Sequence, residues 1–127
     1  MTRSNKRILV VDDEEDVAFT LKVILEKYGF VVESFTDSTT ALQSFKTDFY
    51  DLLILDIRMP ILNGFELYGQ IKSKDANIKT LFLTALNSVE PYSAGKNKVY
   101  PLKGKRHFFK KPITSNELLE QVFSLTN

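Results

Sequence analysis

The segment LLILDIRMP, residues 52–60, contains four large apolar residues in succession, then the carboxylate of Asp56, and a proline at position 60. Consecutive apolar residues are typical of a parallel strand that helices cover on both faces. An ionised carboxylate beside an apolar core is costly unless it is paired, hydrogen-bonded, bound to a metal or open to solvent. The segment therefore predicts a buried strand that ends at a chemically unusual aspartate.

Similar apolar runs alternate with helical patterns along the rest of the chain. Strands are predicted at residues 8–11, 30–35, 52–55, 80–84 and 107–109. Helices are predicted at residues 16–28 with Gly29 as the stop, from about residue 37 to 45, at 64–73, and from a capping box of Thr114 and Glu117 onward. This alternation predicts an α/β protein, a doubly wound parallel sheet built from right-handed crossovers.

Composition limits the classes of function. The 127 residues include 17 Lys and Arg against 16 Asp and Glu, so the net charge of +1 gives no global attraction to nucleic acid or anionic membranes. The chain has no cysteine, which removes disulfides, thiolate metal sites and cysteine nucleophiles. The first apolar run is too short for a signal peptide or a membrane span. We expect one cytoplasmic domain over residues 1–127, with residues 1–6 as a flexible tail.

Polar side chains follow four of the five predicted strands. Asp12 and Asp13 follow the first strand, Asp56 follows the third, Thr84 ends the fourth, and Lys111 comes shortly after the fifth. Each alone has an ordinary explanation, as a helix cap, a strand residue or a surface charge. Together they would meet at the carboxyl edge of the sheet, where ligand sites of such folds lie. Clustered carboxylates need a cation to stay ionised, oxygen ligands suit Mg²⁺, and an aspartate can form an acyl phosphate.

Four motifs carry a family resemblance. They are ILVVDDEED, LLILDIRMPILNGFEL, LFLTA and FFKKP, within residues 8–112. In this order and spacing the chain resembles the receiver domains of two-component response regulators, of the chemotaxis-regulator type, from about Arg7 to Leu125. The resemblance implies a flavodoxin-like (βα)5 fold with a five-stranded parallel sheet of order 2-1-3-4-5.

The resemblance also implies roles for the strand-end residues. Asp56 would be the phosphoacceptor. Asp13, Asp56 and the backbone carbonyl of Arg58 would bind Mg²⁺ directly, and Asp12 would bind it through a water molecule.

The resemblance further implies a conformational switch. Thr84 and Lys111 would contact the phosphoryl group, and Phe108 would move into the space that Thr84 leaves. Phosphorylation would change the populations of two existing states rather than create a new one.

The implied function is signalling. The chain would accept a phosphoryl group from a histidine kinase or histidine phosphotransfer protein, control a downstream protein, and show only self-phosphorylation and self-dephosphorylation. Nucleic acid and membranes are not expected partners, and the chain would be a monomer or a phosphorylation-dependent dimer. Alternatives are a small Mg²⁺-dependent aspartyl-phosphate phosphatase, a receiver used only for binding, or a fragment of a longer regulator. Phe19 and Val23 should face solvent on the first helix, and we expect them to contact the kinase.

The segment between the fourth and fifth strands departs from the family pattern. It is longer than usual, and the prolines and glycines at positions 91, 95, 101 and 104 interrupt any long helix. We therefore expect an irregular fourth helix. Residues 96–111 contain seven Lys or Arg and no acidic residue, which favours either a solvated basic loop or a docking surface for an acidic protein or RNA.

Overall fold

The computed structural model describes residues 5–84, 106–111 and 114–127. These residues form the elements β1 Arg7–Val11, α1 Glu15–Lys27, β2 Val31–Phe35, α2 Ser38–Ser44, β3 Leu52–Asp56, α3 Gly64–Lys72, β4 Lys79–Thr84, β5 Arg106–Lys110 and α4 Ser115–Thr126. The expected irregular helix between β4 and β5 lies outside the described residues, as does most of the basic segment.

All strand pairs of the sheet are parallel, and the strand order is β2-β1-β3-β4-β5. This confirms the predicted doubly wound fold. In the pairing of β1 with β3, Val11 lies opposite Leu55. Asp12 and Asp56 come directly after this pair of residues. The register therefore places them side by side at the carboxyl edge of the sheet.

The core consists of two apolar clusters, one on each face of the sheet. Alternate residues of β1, β3 and β4 pack with α1 and α4 on one face. The intervening residues pack with α2 and α3 on the other face. Because helices cover both faces, every residue of β3 is buried, which is why this strand is apolar at successive positions.

Two details of the predicted helices are wrong. The apolar periodicity of residues 16–28 places Tyr28 in the buried stripe of the first helix, but Tyr28 lies one residue beyond α1 and is 48% exposed. Thr114 does occupy the N-cap position of α4, but its side chain makes no capping hydrogen bond. Packing of Leu118 and Val122 into the core holds this helix instead. Gly29 ends α1 as predicted, with a φ of 94°.

The capping box of the structure lies instead at the start of α3, in the loop that follows Asp56. The Asn63 side chain accepts a hydrogen bond from the backbone N–H of Glu66, and the Glu66 side chain accepts one from the N–H of Asn63. Within the same loop Ile61 has a φ of 70°, a region that a β-branched residue rarely adopts.

No helix within the described residues is long and apolar enough to cross a membrane.

Gly64 fixes the distance between α3 and the end of β3. Its N–H donates to the carbonyl oxygen of Ile57 at 2.8 Å. A Cβ at this position would lie 2.3 Å from the carbonyl oxygen of Asp56 and 2.9 Å from the Cα of Ile57. Both of these are backbone atoms, so a side chain here would displace the strand end that carries Asp56.

Substitution of the two glycines of α3 by alanine should have opposite effects on stability. Gly64→Ala should lower the free energy of unfolding by about 2 to 4 kcal/mol, since backbone atoms must move. Gly69→Ala is the matched control, because a Cβ at Gly69 has nothing within 4 Å. It should raise the free energy of unfolding by up to about 1 kcal/mol through helix propensity. Urea denaturation measures both, and equal stabilities of the two variants would contradict the clash at Gly64.

Candidate functional site

The carboxyl edge of the sheet carries a cluster of three aspartates. Asp12 is fully buried, Asp56 is 5% exposed, and Asp13 is exposed. One carboxylate oxygen of each residue lies within 4.8 Å of those of the other two. Asp12 Oδ1 also accepts a hydrogen bond from the backbone N–H of Glu14 at 2.9 Å, which fixes the turn between β1 and α1. The predicted convergence of these three carboxylates is therefore present in the structure.

Lys111 lies across the mouth of this cluster. Its Nζ is 3.1 Å from Asp12 Oδ2, 3.0 Å from Glu14 Oε1 and 3.5 Å from Asp56 Oδ1. Its backbone N–H donates to the carbonyl oxygen of Thr84 at 2.8 Å. The structure thus brings the ammonium of Lys111 and the buried residue Thr84 to the edge where the sequence placed them.

Burial and mutual repulsion change the ionisation of the two buried aspartates. Burial and, next, the charge of Asp12 raise the pKa of Asp56 from 3.8 to about 7, although Lys111 opposes this shift. Burial likewise raises the pKa of Asp12. For Lys111, burial lowers the pKa, but the hydrogen bond to Glu14 and the charges of Asp12 and Asp56 outweigh burial and raise it. In the absence of a metal ion, the two buried aspartates therefore hold a proton more tightly than a free aspartate does.

The chemistry of these groups fits a divalent cation. Asp12 Oδ2 is buried and lies 3.1 Å from the ammonium of Lys111, and the described residues offer it no other hydrogen-bond donor. An oxygen-only set of ligands suits Mg²⁺, which keeps several of its waters. The adjacent cavity has a volume of about 320 Å³ and is lined by Asp13, Glu14, Asp56, Arg58 and Lys111. This cavity has room for a hydrated ion and a phosphoryl group, while a ligand role for the Arg58 carbonyl stays a prediction.

Phe108 lies beside the site on β5. Its half-buried ring stacks on Phe82, with the ring centroids 5.3 Å apart, and it is 6.2 Å from the centroid of Phe65. Because side chains alternate along a strand, Thr84 lies on the same face of β4 as Phe82. The aromatic ring is thus near Thr84, but its role in a switch stays a prediction.

The two residues predicted as kinase contacts are exposed on α1. Phe19 is 68% exposed and Val23 is 47% exposed. They lie one helical turn apart on the side of α1 that faces away from the core. The predicted exposure is confirmed, and the docking role stays a prediction.

Glu14 is a site residue that the sequence reasoning missed. It follows the two predicted ligands Asp12 and Asp13, yet nothing in the sequence links it to Lys111, which is 97 positions away. The run of acidic residues at 12–16 was the available signal, but it does not distinguish one carboxylate from the next.

Comparisons with known proteins agree on one family. The family model described as "Response regulator receiver domain" matches residues 8–123. The protein "Response regulator MprA" of Mycobacterium ulcerans (strain Agy99) is 36% identical over 119 residues, which cover 94% of this chain and 49% of that protein. The chain therefore spans about half the length of the curated relatives that it matches at this coverage.

Solved structures of similar fold include two that are more than 30% identical to this chain. The non-phosphorylated HemR receiver domain from Leptospira biflexa is 31% identical with a TM-score of 0.80, covering 96% of this chain and 94% of that chain. The response regulator TrrA from Thermotoga maritima, in complex with Mg²⁺ and BeF, is 33% identical with a TM-score of 0.73, covering 94% and 98%.

The raised pKa of Asp56 predicts how stability depends on pH without metal. The folded protein holds this proton more tightly than the unfolded chain, so the free energy of unfolding should fall as the pH rises from about 4 through about 7. The loss should be a few kcal/mol, and millimolar Mg²⁺ at pH 8 should restore much of it.

Urea denaturation in EDTA between pH 5 and pH 8 measures this dependence. Asp56→Asn should make the decline shallower, while Asp12, whose pKa is also raised, keeps part of it. An identical pH dependence in the wild type and in Asp56→Asn would contradict the assignment of the proton to Asp56.

Proposed function

Because this chain belongs to the response regulator receiver domain family, we propose that it is a signalling module phosphorylated on Asp56. The observation that carries this assignment is the position of Asp56: it ends the central strand, and its carboxylate lies within reach of Asp12, Asp13 and Lys111 at the cavity. The family match favours this function over the aspartyl-phosphate phosphatase. We further propose that the described elements form one receiver unit within residues 1–127.

In the proposed reaction, a carboxylate oxygen of Asp56 attacks the phosphorus of a phosphohistidine on a protein donor. The new phosphorus–oxygen bond forms as the phosphorus–nitrogen bond breaks, and the histidine leaves and takes up a proton. Asp56 must be ionised to attack, and the ammonium of Lys111 at 3.5 Å favours that form. The chain thus supplies the nucleophile and part of the positive charge that phosphoryl transfer needs.

Four groups would hold Mg²⁺ at this edge. They are the carboxylates of Asp13 and Asp56, the backbone carbonyl of Arg58, and Asp12 through a water molecule. The ion would neutralise charge on the phosphoryl oxygens. Binding would also relieve the repulsion that raises the pKa of Asp56.

A phosphoryl group on Asp56 would then change the contacts of Thr84 and Lys111. The Thr84 hydroxyl would donate a hydrogen bond to one phosphoryl oxygen, and the Lys111 ammonium would pair with another. Movement of Thr84 would open space beside Phe82, where the ring of Phe108 already lies. The altered surface would be read by a downstream protein, and the chain would act as a monomer or as a phosphorylation-dependent dimer.

Incubation with acetyl phosphate and Mg²⁺ tests the assignment of Asp56. Intact mass spectrometry should show a gain of one phosphoryl group in the wild type and none in Asp56→Asn, whose amide is not a nucleophile of this kind. Asp16→Asn, an exposed acid on α1, is the control and should gain the group. A gain in Asp56→Asn, or none in the wild type, would refute the proposed function.

The exposed apolar pair on α1 gives a second test, of the protein donor. Phe19→Ser with Val23→Ser should slow transfer from a histidine kinase or phosphotransfer protein that phosphorylates the wild type, since an apolar contact is lost. Phosphorylation by acetyl phosphate should be unchanged. Val31→Ser is the matched control, because Val31 is also 47% exposed but lies at the amino end of β2, across the domain from Asp56. Equal slowing with both donors would exclude a docking role.

A further inference from the structure

The side chain of Glu14 contacts Lys111 and does not cap the helix that it precedes. It is the N-cap residue of α1, where a carboxylate ordinarily accepts hydrogen bonds from the first turn. Its side chain makes no such capping hydrogen bond. Instead Glu14 Oε1 accepts a hydrogen bond from Lys111 Nζ at 3.0 Å.

The same ammonium faces two other carboxylates. It is 3.1 Å from Asp12 Oδ2 and 3.5 Å from Asp56 Oδ1, both on buried residues. Glu14, which is 62% exposed, is the one exposed carboxylate among these three partners, and it accepts a hydrogen bond from the ammonium. Lys111 is therefore shared between the carboxylates inside the cluster and one carboxylate on its outer rim.

We infer that Glu14 is a positioning residue that holds the ammonium of Lys111 toward the rim of the site. A phosphoryl group on Asp56 then replaces the Glu14 carboxylate as the partner of this ammonium. The inference rests on the proposed function of Asp56 and Lys111. Without Glu14, the anionic partners that the described residues leave to the ammonium are Asp12 and Asp56, and it settles between them. There its charge competes with a divalent cation for the same oxygens.

Two opposite effects follow from this position. Holding the ammonium outward leaves the aspartates available to Mg²⁺, so Glu14 strengthens metal binding. A phosphoryl group must take Lys111 from Glu14, so Glu14 weakens the binding of a phosphoryl mimic. Because Glu14 is exposed, its ion pair is weak and each effect is modest, about two- to fivefold.

Isothermal titration calorimetry with Mg²⁺ alone tests the first effect in a double-mutant cycle. Glu14→Gln should weaken Mg²⁺ binding by about two- to fivefold in the wild-type background. In a Lys111→Met background the same substitution should have little effect, because no ammonium remains to move. An equal loss in both backgrounds would overturn the inference, since Glu14 would then act through its own charge.

The second effect, weaker binding of a phosphoryl mimic, is tested by NMR titration with beryllofluoride at saturating Mg²⁺. Lys111 stays in place in this experiment. Glu14→Gln should bind the mimic about two- to fivefold more tightly than the wild type. Glu15→Gln is the matched control: it removes the same charge one residue along, from a side chain that does not line the cavity, and it should change both affinities less. Weaker binding of the mimic by Glu14→Gln, or equal effects of the two variants, would overturn the inference. A wild type that binds neither Mg²⁺ nor beryllofluoride would refute the proposed function itself.

Discussion

The ion pairs of Lys111 with Asp12, Glu14 and Asp56 set the charge balance at the carboxyl edge of the sheet. They join the loop after β1, the end of β3 and the end of β5, which are far apart in the sequence. Two of the carboxylates are buried, so the ammonium offsets a desolvation cost that apolar packing cannot reduce. One ammonium does not balance three acids, and this excess of carboxylates is what supports the proposed Mg²⁺ site.

The rest of the fold stabilises the protein against the repulsion among these carboxylates. Two apolar clusters bury both faces of β1 and β3, so the strand ends are held by packing that does not depend on the site. Gly64 then lets α3 approach the backbone of Asp56 closely, and the capping box at Asn63 fixes where that helix begins. Repulsion among the carboxylates is therefore tolerated, because apolar packing on both faces of the sheet holds the strands that carry them. The scaffold in this way keeps the carboxylate of Asp56 at a buried position.

The sequence predicted the sheet and the aspartate cluster because both follow from simple constraints. A strand buried on both faces must be apolar throughout, and parallel strands must bring their carboxyl ends to one edge. Two details could not be predicted in the same way: the contact of Glu14 with Lys111, and the absence of a capping hydrogen bond to the side chain of Thr114. Each depends on which of several rotamers a long or small polar side chain adopts, and rotamers are chosen by neighbours that come from distant parts of the chain.

The backbone hydrogen bond from Lys111 to the carbonyl oxygen of Thr84 has a mechanical consequence. β4 and β5 are paired from Thr80 with Arg106 to Thr84 with Lys110, and this bond extends the pairing to the residue that carries the ammonium. Thr84 and Lys111 are therefore joined through their backbones at the end of the β4–β5 pair, which also carries Phe108. In the proposed switch, movement of the Thr84 backbone would therefore be transmitted directly to the backbone of Lys111, and the two residues would respond together to a phosphoryl group on Asp56.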